Sequence, residues 1–165
     1  MKTVPLYRFQ IRSSLPVQAV LERVCGLVRA APGFWPSLKE AFGSRPEGTP
    51  PFIGKLEGNE FRIYRDIRYR NSFLPRIYGQ VAESLRGTEI NVTMSLHPLV
   101  TAFMLFWLGA VGFGGVATLA SANMKAALIP FGMFFFGVVL TLAGFFPEAL
   151  KARRLLEQNL GSVGA

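Results

Sequence analysis

Among 165 residues there is one cysteine, one histidine and one aspartate. A disulfide framework needs paired cysteines, and a zinc centre needs several Cys or His ligands at close spacing, so both are excluded. Charge is scarce too: 17% of the chain is Asp, Glu, Lys or Arg, against about 25% in an ordinary soluble domain. Half of the residues are hydrophobic, far too many for a disordered tail. A Ser-His-Asp arrangement would have to use His97 with Asp66 or a Glu in its place. His97 stands beside a proline at the edge of an apolar stretch, which suits a hinge or interfacial residue better. The glycines between Gly109 and Gly115 lie inside that stretch, where they serve close packing better than phosphate binding. We therefore expect no catalytic residue, no metal and no cofactor.

What the chain does have is unevenly placed. Residues 1–97 carry 14 of the 18 Lys and Arg. Pro98–Ser121 and Ala126–Phe146 carry no Asp, Glu, Lys or Arg at all. As helices these stretches would be roughly 36 and 31 Å long, enough to cross a bilayer core of about 30 Å. Leu, Ile, Val and Phe fill ten positions of the first and twelve of the second, which favours insertion by several kcal/mol on a translocon scale. The alternative is a hairpin buried in a soluble core, but such helices rarely run so far without a charged face. The short connection, Ala122-Asn123-Met124-Lys125, makes the two helices antiparallel neighbours. Pro130 falls in the first turn of the second helix, and Pro147 closes its far end. The tip offers only Lys125, whereas the tail offers Lys151, Arg153 and Arg154. The positive-inside rule then puts both termini in the cytoplasm. Arg8 and Arg12 interrupt any signal-peptide-like run. Cys25 reads as helix packing.

In the N-terminal part, residues 3–12 read as a strand. Ser13 or Ser14 caps the helix that follows, whose apolar stripe is Val17, Val20, Leu21, Val24, Leu27 and Val28. Residues 32–51 hold five Pro and three Gly and read as a long irregular connection with a short helical turn at Ser37–Phe42. From Phe52 the period becomes two. Gly58-Asn59 is a two-residue hairpin turn that sets Leu56 opposite Phe61 and Gly54 opposite Ile63. A second hairpin joins about Arg76–Glu83 to Glu89–Leu96. No internal repeat is present. The expected fold is α+β: a small antiparallel sheet of about five strands with one N-terminal helix, followed by a two-helix transmembrane hairpin. The expected division is a cytoplasmic domain (1–97), the hairpin (98–147, helices 98–121 and 126–146) and a polar cytoplasmic tail (148–165).

Two constellations stand out. Arg62, Arg65, Arg68, Arg70 and Arg76 are interleaved with Tyr64, Tyr69 and Tyr78, and on one continuous strand Arg62, Arg68, Arg70 and Tyr64 would share a face. A basic face at the inner membrane surface attracts anionic lipid at about 1 kcal/mol per charge. It can equally be a solvated sheet face. Nucleic acid is not an expected partner, because the chain is membrane-anchored and has no binding module. The second constellation is small residues. Ala110, Gly114 and Thr118 share one helix face, and Gly137 and Thr141 offer a matching patch, either for packing within the hairpin or for a membrane-protein partner or a second copy.

Phe52-Ile53-Gly54-Lys55, Phe61-Arg62-Ile63, the run Tyr69-Arg70-Asn71-Ser72-Phe73-Leu74-Pro75-Arg76-Ile77-Tyr78-Gly79, Gly87-Thr88 and His97-Pro98 together resemble a group of small uncharacterised bacterial membrane proteins, which have a cytoplasmic domain followed by two transmembrane helices. The resemblance covers roughly residues 50–110. It implies a bacterial inner-membrane location and carries no activity. The expectation is a non-enzymatic inner-membrane protein that binds a protein partner or anionic lipid at the cytoplasmic leaflet. The alternatives are an accessory or assembly subunit of a larger membrane complex and a lipid-directed enzyme.

Overall fold

The computed structural model describes residues 5–30, 48–85, 87–121 and 124–161. Among them are six strands, β1 (Tyr7–Ser13), β2 (Val28–Ala30), β3 (Phe52–Glu57), β4 (Glu60–Arg65), β5 (Arg76–Ser84) and β6 (Gly87–Ser95). The helices are α1 (Val17–Leu27), α2 (Pro98–Ala120) and α3 (Met124–Leu160). The strands form one sheet in the order β1-β6-β5-β4-β3-β2. Every pairing is antiparallel except that of β2 with β3. The fold is therefore α+β with an apolar helical hairpin at its C-terminal side.

The turn chemistry sets the registers. Gly58, at φ 58°, supplies the left-handed residue that a two-residue hairpin requires. Leu56 pairs with Phe61 and Gly54 with Ile63, as the alternation requires. In the second hairpin Ser84 pairs with Gly87, so the turn is tighter than the sequence suggests. Gly79 faces Phe61 across β4 and β5, and the Phe61 ring occupies the space that a β-carbon at Gly79 would need.

Alternation gives the sheet two faces. Ile11, Phe61, Ile63, Ile77, Val81, Ile90, Val92 and Met94 point inward and are buried. Two helices cover them. One is α1, through Val20, Leu21 and Val24. The other is the last third of α3.

That second cover departs from the sequence reading. Pro147 does not end the helix, and residues 148–160 are not a free tail. Phe145, Ala149, Ala152, Leu156 and Leu160 form a stripe of helical spacing, all buried in the core of the sheet. Of the charges that suggested a tail, Lys151 and Arg154 occupy the opposite face, exposed, whereas Arg153 reaches the Tyr7 hydroxyl and the Phe9 ring of β1. Pro147 withdraws only the N–H that would pair with the Ala143 carbonyl, and Phe145 and Ala149 on either side of it are fully buried. Pro130 likewise lies within the helix, not in its first turn.

Three local expectations also shift. Val28 leaves α1 to open β2, a strand the stripe conceals. Pro16, extended at ψ 156°, occupies the N-cap position of α1 without a side-chain cap, and Ser13 ends β1 instead. Cys25 is exposed, not packed. The helical turn expected at 37–42 lies outside the described residues.

Both α2 and α3 are long and apolar enough to cross a membrane, and only 11% of the most apolar window of each is buried within the protein. A hairpin in a soluble core would be mostly buried. Here Leu99, Phe103, Phe106, Phe113, Phe135, Phe136 and Val139 all face outward.

Candidate functional site at the base of the hairpin

The site begins where β4 ends. Residues 66–75 leave the sheet and run along α3 at the level of Gly144–Glu148. Asn71 shapes this loop: its Oδ1 accepts the Phe73 N–H at 2.9 Å, an Asx turn. Its Nδ2 donates to the Gly144 carbonyl at 2.8 Å. Phe73 then lies against Gly144, where an added β-carbon would come within 2.8 Å of the ring. The unusual Arg-Asn-Ser-Phe run is thus a clamp between the sheet and the helix.

A buried carboxylate sits beside the clamp. Glu148 is 2% exposed, two residues beyond the apolar segment. It is ion-paired with Arg65, accepts the Tyr69 hydroxyl at 2.5 Å and takes a bond from Lys151 Nζ at 3.1 Å. Burial alone would raise its pKa. Hydrogen bonds from Tyr69 and Lys151, with the charges of Arg65 and Lys151, outweigh burial and hold it below the ordinary glutamate value. The Tyr69 hydroxyl is pushed the other way, chiefly by its bond to Glu148, then by burial and the carboxylate charge. In the sequence Arg65 reads as one of a basic cluster and Glu148 as the start of a polar tail, and nothing there pairs them. The available signal was an isolated acid immediately after a proline that ends an apolar run.

The expected basic face is only partly assembled. Arg62 and Tyr64 point outward from β4, and their partners on β5 are Tyr78 and Arg76. Arg62, Tyr64 and Arg76 therefore share a face. Arg68 and Arg70 do not join them, because β4 stops at Arg65. They flank Tyr69 on the loop, exposed, beside the end of the hairpin.

Between the outer face of the sheet and the start of α2 lies a cavity of about 290 Å³, lined by Tyr64, Asn71, Ser72, Leu74, Arg76, His97 and Val100. His97 is the N-cap of α2, and its Nδ1 accepts the Leu99 N–H at 3.1 Å. That leaves Nε2 to carry the ring proton. Among the described residues, neither the Arg76 guanidinium nor the Tyr64 hydroxyl has a hydrogen bond or ion pair. Sequence reasoning found Tyr64 and Arg76 but missed His97 and Ser72 as their neighbours. No group of His, Cys, Asp and Glu suited to a metal occurs among the described residues.

The small residues of the hairpin divide. A β-carbon added at Gly115 would come within 3.0 Å of the Phe131 ring, and one added at Gly137 within 3.2 Å of Leu108 and 3.6 Å of Trp107. Thus large side chains fill the spaces that small ones leave, where sequence suggests two flat patches in contact. Thr118 and Thr141 donate to carbonyls of their own helices, at Gly114 (2.6 Å) and Gly137 (2.8 Å). Ala110 is exposed and Gly114 meets open space, so both lie off the seam.

Comparison with family models, curated proteins and solved structures found no match to this chain.

Proposed function

We propose that this chain is a multi-pass protein of the bacterial inner (cytoplasmic) membrane, with both termini in the cytoplasm, and that its sheet domain binds anionic lipid at the cytoplasmic leaflet. The observation that carries this reading is the placement of loop 66–75. It is fastened to α3 at Gly144 and Glu148, at the very end of the apolar segment, and so holds Arg68 and Arg70 at headgroup depth. Each basic residue at that depth is worth about 1 kcal/mol on an anionic surface. The exposed apolar girdle of α2 and α3 and the poverty of Lys and Arg at the hairpin tip support the orientation.

The test is thermal unfolding of the full-length protein in neutral detergent with added phosphatidylglycerol or phosphatidylcholine. Phosphatidylglycerol alone raises the midpoint, and added salt reduces the effect. An equal, salt-insensitive response to both lipids overturns the reading. Orientation is tested separately: a membrane-impermeant amine reagent labels Lys125 from the outer side of the membrane.

One observation favours a second reading, an accessory subunit of a membrane complex. Ala110 and Gly114 leave an open, flat strip on α2 outside the hairpin seam. A lone monomer in several mild detergents counts against it.

A further inference from the structure

We infer that the cavity between Tyr64, Ser72, Arg76 and His97 is a seat for one phosphate group, carried by a lipid headgroup or by a small soluble phosphate. The inference deepens the proposed function and rests on it for the lipid source; the phosphate chemistry rests on the cavity alone.

The lining is one-sided. Arg76 brings a guanidinium with five N–H donors, His97 an Nε2–H, and Tyr64 and Ser72 a hydroxyl each. Among the described residues, no carboxylate lines the cavity. A half-buried guanidinium without a partner is costly in a protein, and a lining that carries several donor side chains and no acid suits an anion rather than a cation. Arg presents its donors as a planar fork that matches two phosphate oxygens at once. The capping bond from Leu99 to His97 Nδ1 matters here, because it fixes Nε2 as the donor. The Tyr64–Arg76 pairing across β4 and β5 places the two residues side by side on one face of a rigid ladder.

Size and position narrow the class. About 290 Å³ is at the small end of ligand sites. It accommodates a phosphate with a few further atoms. Leu74 and Val100 form the apolar part of the wall. Val100 belongs to the first turn of α2, the start of the apolar segment, so an acyl chain leaving the cavity would run directly along that helix.

The experiment uses full-length protein in a neutral detergent and measures saturable binding of dioctanoyl phosphatidic acid, dioctanoyl phosphatidylcholine and inorganic phosphate. Four variants are compared with the unaltered chain: Arg76→Gln, Tyr64→Phe, His97→Asn and the double change Arg68→Gln with Arg70→Gln. Asn is a good N-cap, so His97→Asn retains the cap and withdraws only the imidazole. Tyr64→Phe removes a single oxygen, which keeps the test usable if Arg76→Gln fails to fold. We expect one saturable site for phosphatidic acid, weakened roughly tenfold or more by Arg76→Gln and several-fold by Tyr64→Phe and His97→Asn. The double variant leaves that site intact and loses only salt-sensitive adsorption.

Competition by millimolar inorganic phosphate identifies a soluble phosphate as an occupant, and its failure to compete assigns the seat to lipid. Equal affinity of the unaltered chain and folded Tyr64→Phe and His97→Asn variants overturns the seat while leaving the surface reading untouched. Loss of the phosphatidylglycerol preference with the saturable site retained overturns the surface reading alone.

Discussion

Tyr69 and Glu148 stand 79 positions apart in the chain and share a hydrogen bond of 2.5 Å. The first belongs to a loop of the sheet and the second to the helix that continues the hairpin. Arg65 completes the set from β4. This polar group around the buried Glu148 carboxylate is therefore the joint between the two parts of the molecule, and it can be tested directly.

Glu148→Leu leaves the Arg65 guanidinium, 20% exposed, without its carboxylate. Breaking such a pair from one side costs about 3 kcal/mol. Replacing both partners, as Arg65→Met with Glu148→Leu, is expected to recover much of that loss. A double-mutant cycle of unfolding midpoints measures the coupling.

Acid should loosen the joint. The pKa of Glu148 is lowered on folding from an ordinary 4.5, so its contribution is complete above pH 4.5 and is lost as pH falls through the depressed folded value. Titrating the unfolding midpoint from pH 7 to 3 checks this. The fall is steeper for the unaltered protein than for Glu148→Gln, in which this carboxylate no longer titrates.

Gly79→Ala is expected to be among the most damaging single-methyl additions. The new β-carbon would lie 1.9–2.4 Å from the Phe61 ring, whose side chain is 1% exposed and has no free space to enter. Overpacking of this kind costs about 1–3 kcal/mol. Gly26→Ala, where nothing lies within 4 Å, is expected to be neutral or slightly stabilising in α1. Unfolding midpoints of the two variants measure the difference.

Cutting the chain after Pro147 is expected to unfold the sheet domain. It removes Ala149, Ala152, Leu156 and Leu160 from the core. The point substitution Leu156→Ala should cost about 2–5 kcal/mol. Hydrogen exchange at β5 and β6 reads out both changes, with protection lost in the truncated chain and reduced in the variant.

The first hairpin was legible in the sequence down to its register because period-two alternation and Gly58-Asn59 together admit one pairing, whereas the second was legible as two strands with a longer turn than the one that pairs Ser84 with Gly87. The hairpin helices were legible because a run of 21 or more uncharged residues, Ala126–Phe146 for instance, has few other uses. β2 was hidden because Val28 also continues the helical stripe of α1, and only its parallel pairing with Phe52 makes it a strand. The last third of α3 was misread because charge at Lys151, Arg153 and Arg154 drew attention from Ala149, Ala152, Leu156 and Leu160, which share the other face. Of the candidate site, Tyr64 and Arg76 could be named because they belong to a dense Arg–Tyr cluster in the chain, although their cross-strand pairing was not legible there. Ser72 and His97 could not, because a loop and a helix cap are brought beside them only by tertiary packing.

α3 runs unbroken for 37 residues from the tip of the hairpin to the heart of the sheet, and this sets an order of events during biosynthesis. The ribosome releases all six strands before it has made the segment that covers them. Until Leu160 emerges, the part of the inner face that α3 covers stays bare, although both apolar stretches have already been made. Completion of the sheet therefore waits on the far end of the same helix that forms the hairpin. A chain that stops short of that end cannot leave behind a finished sheet domain.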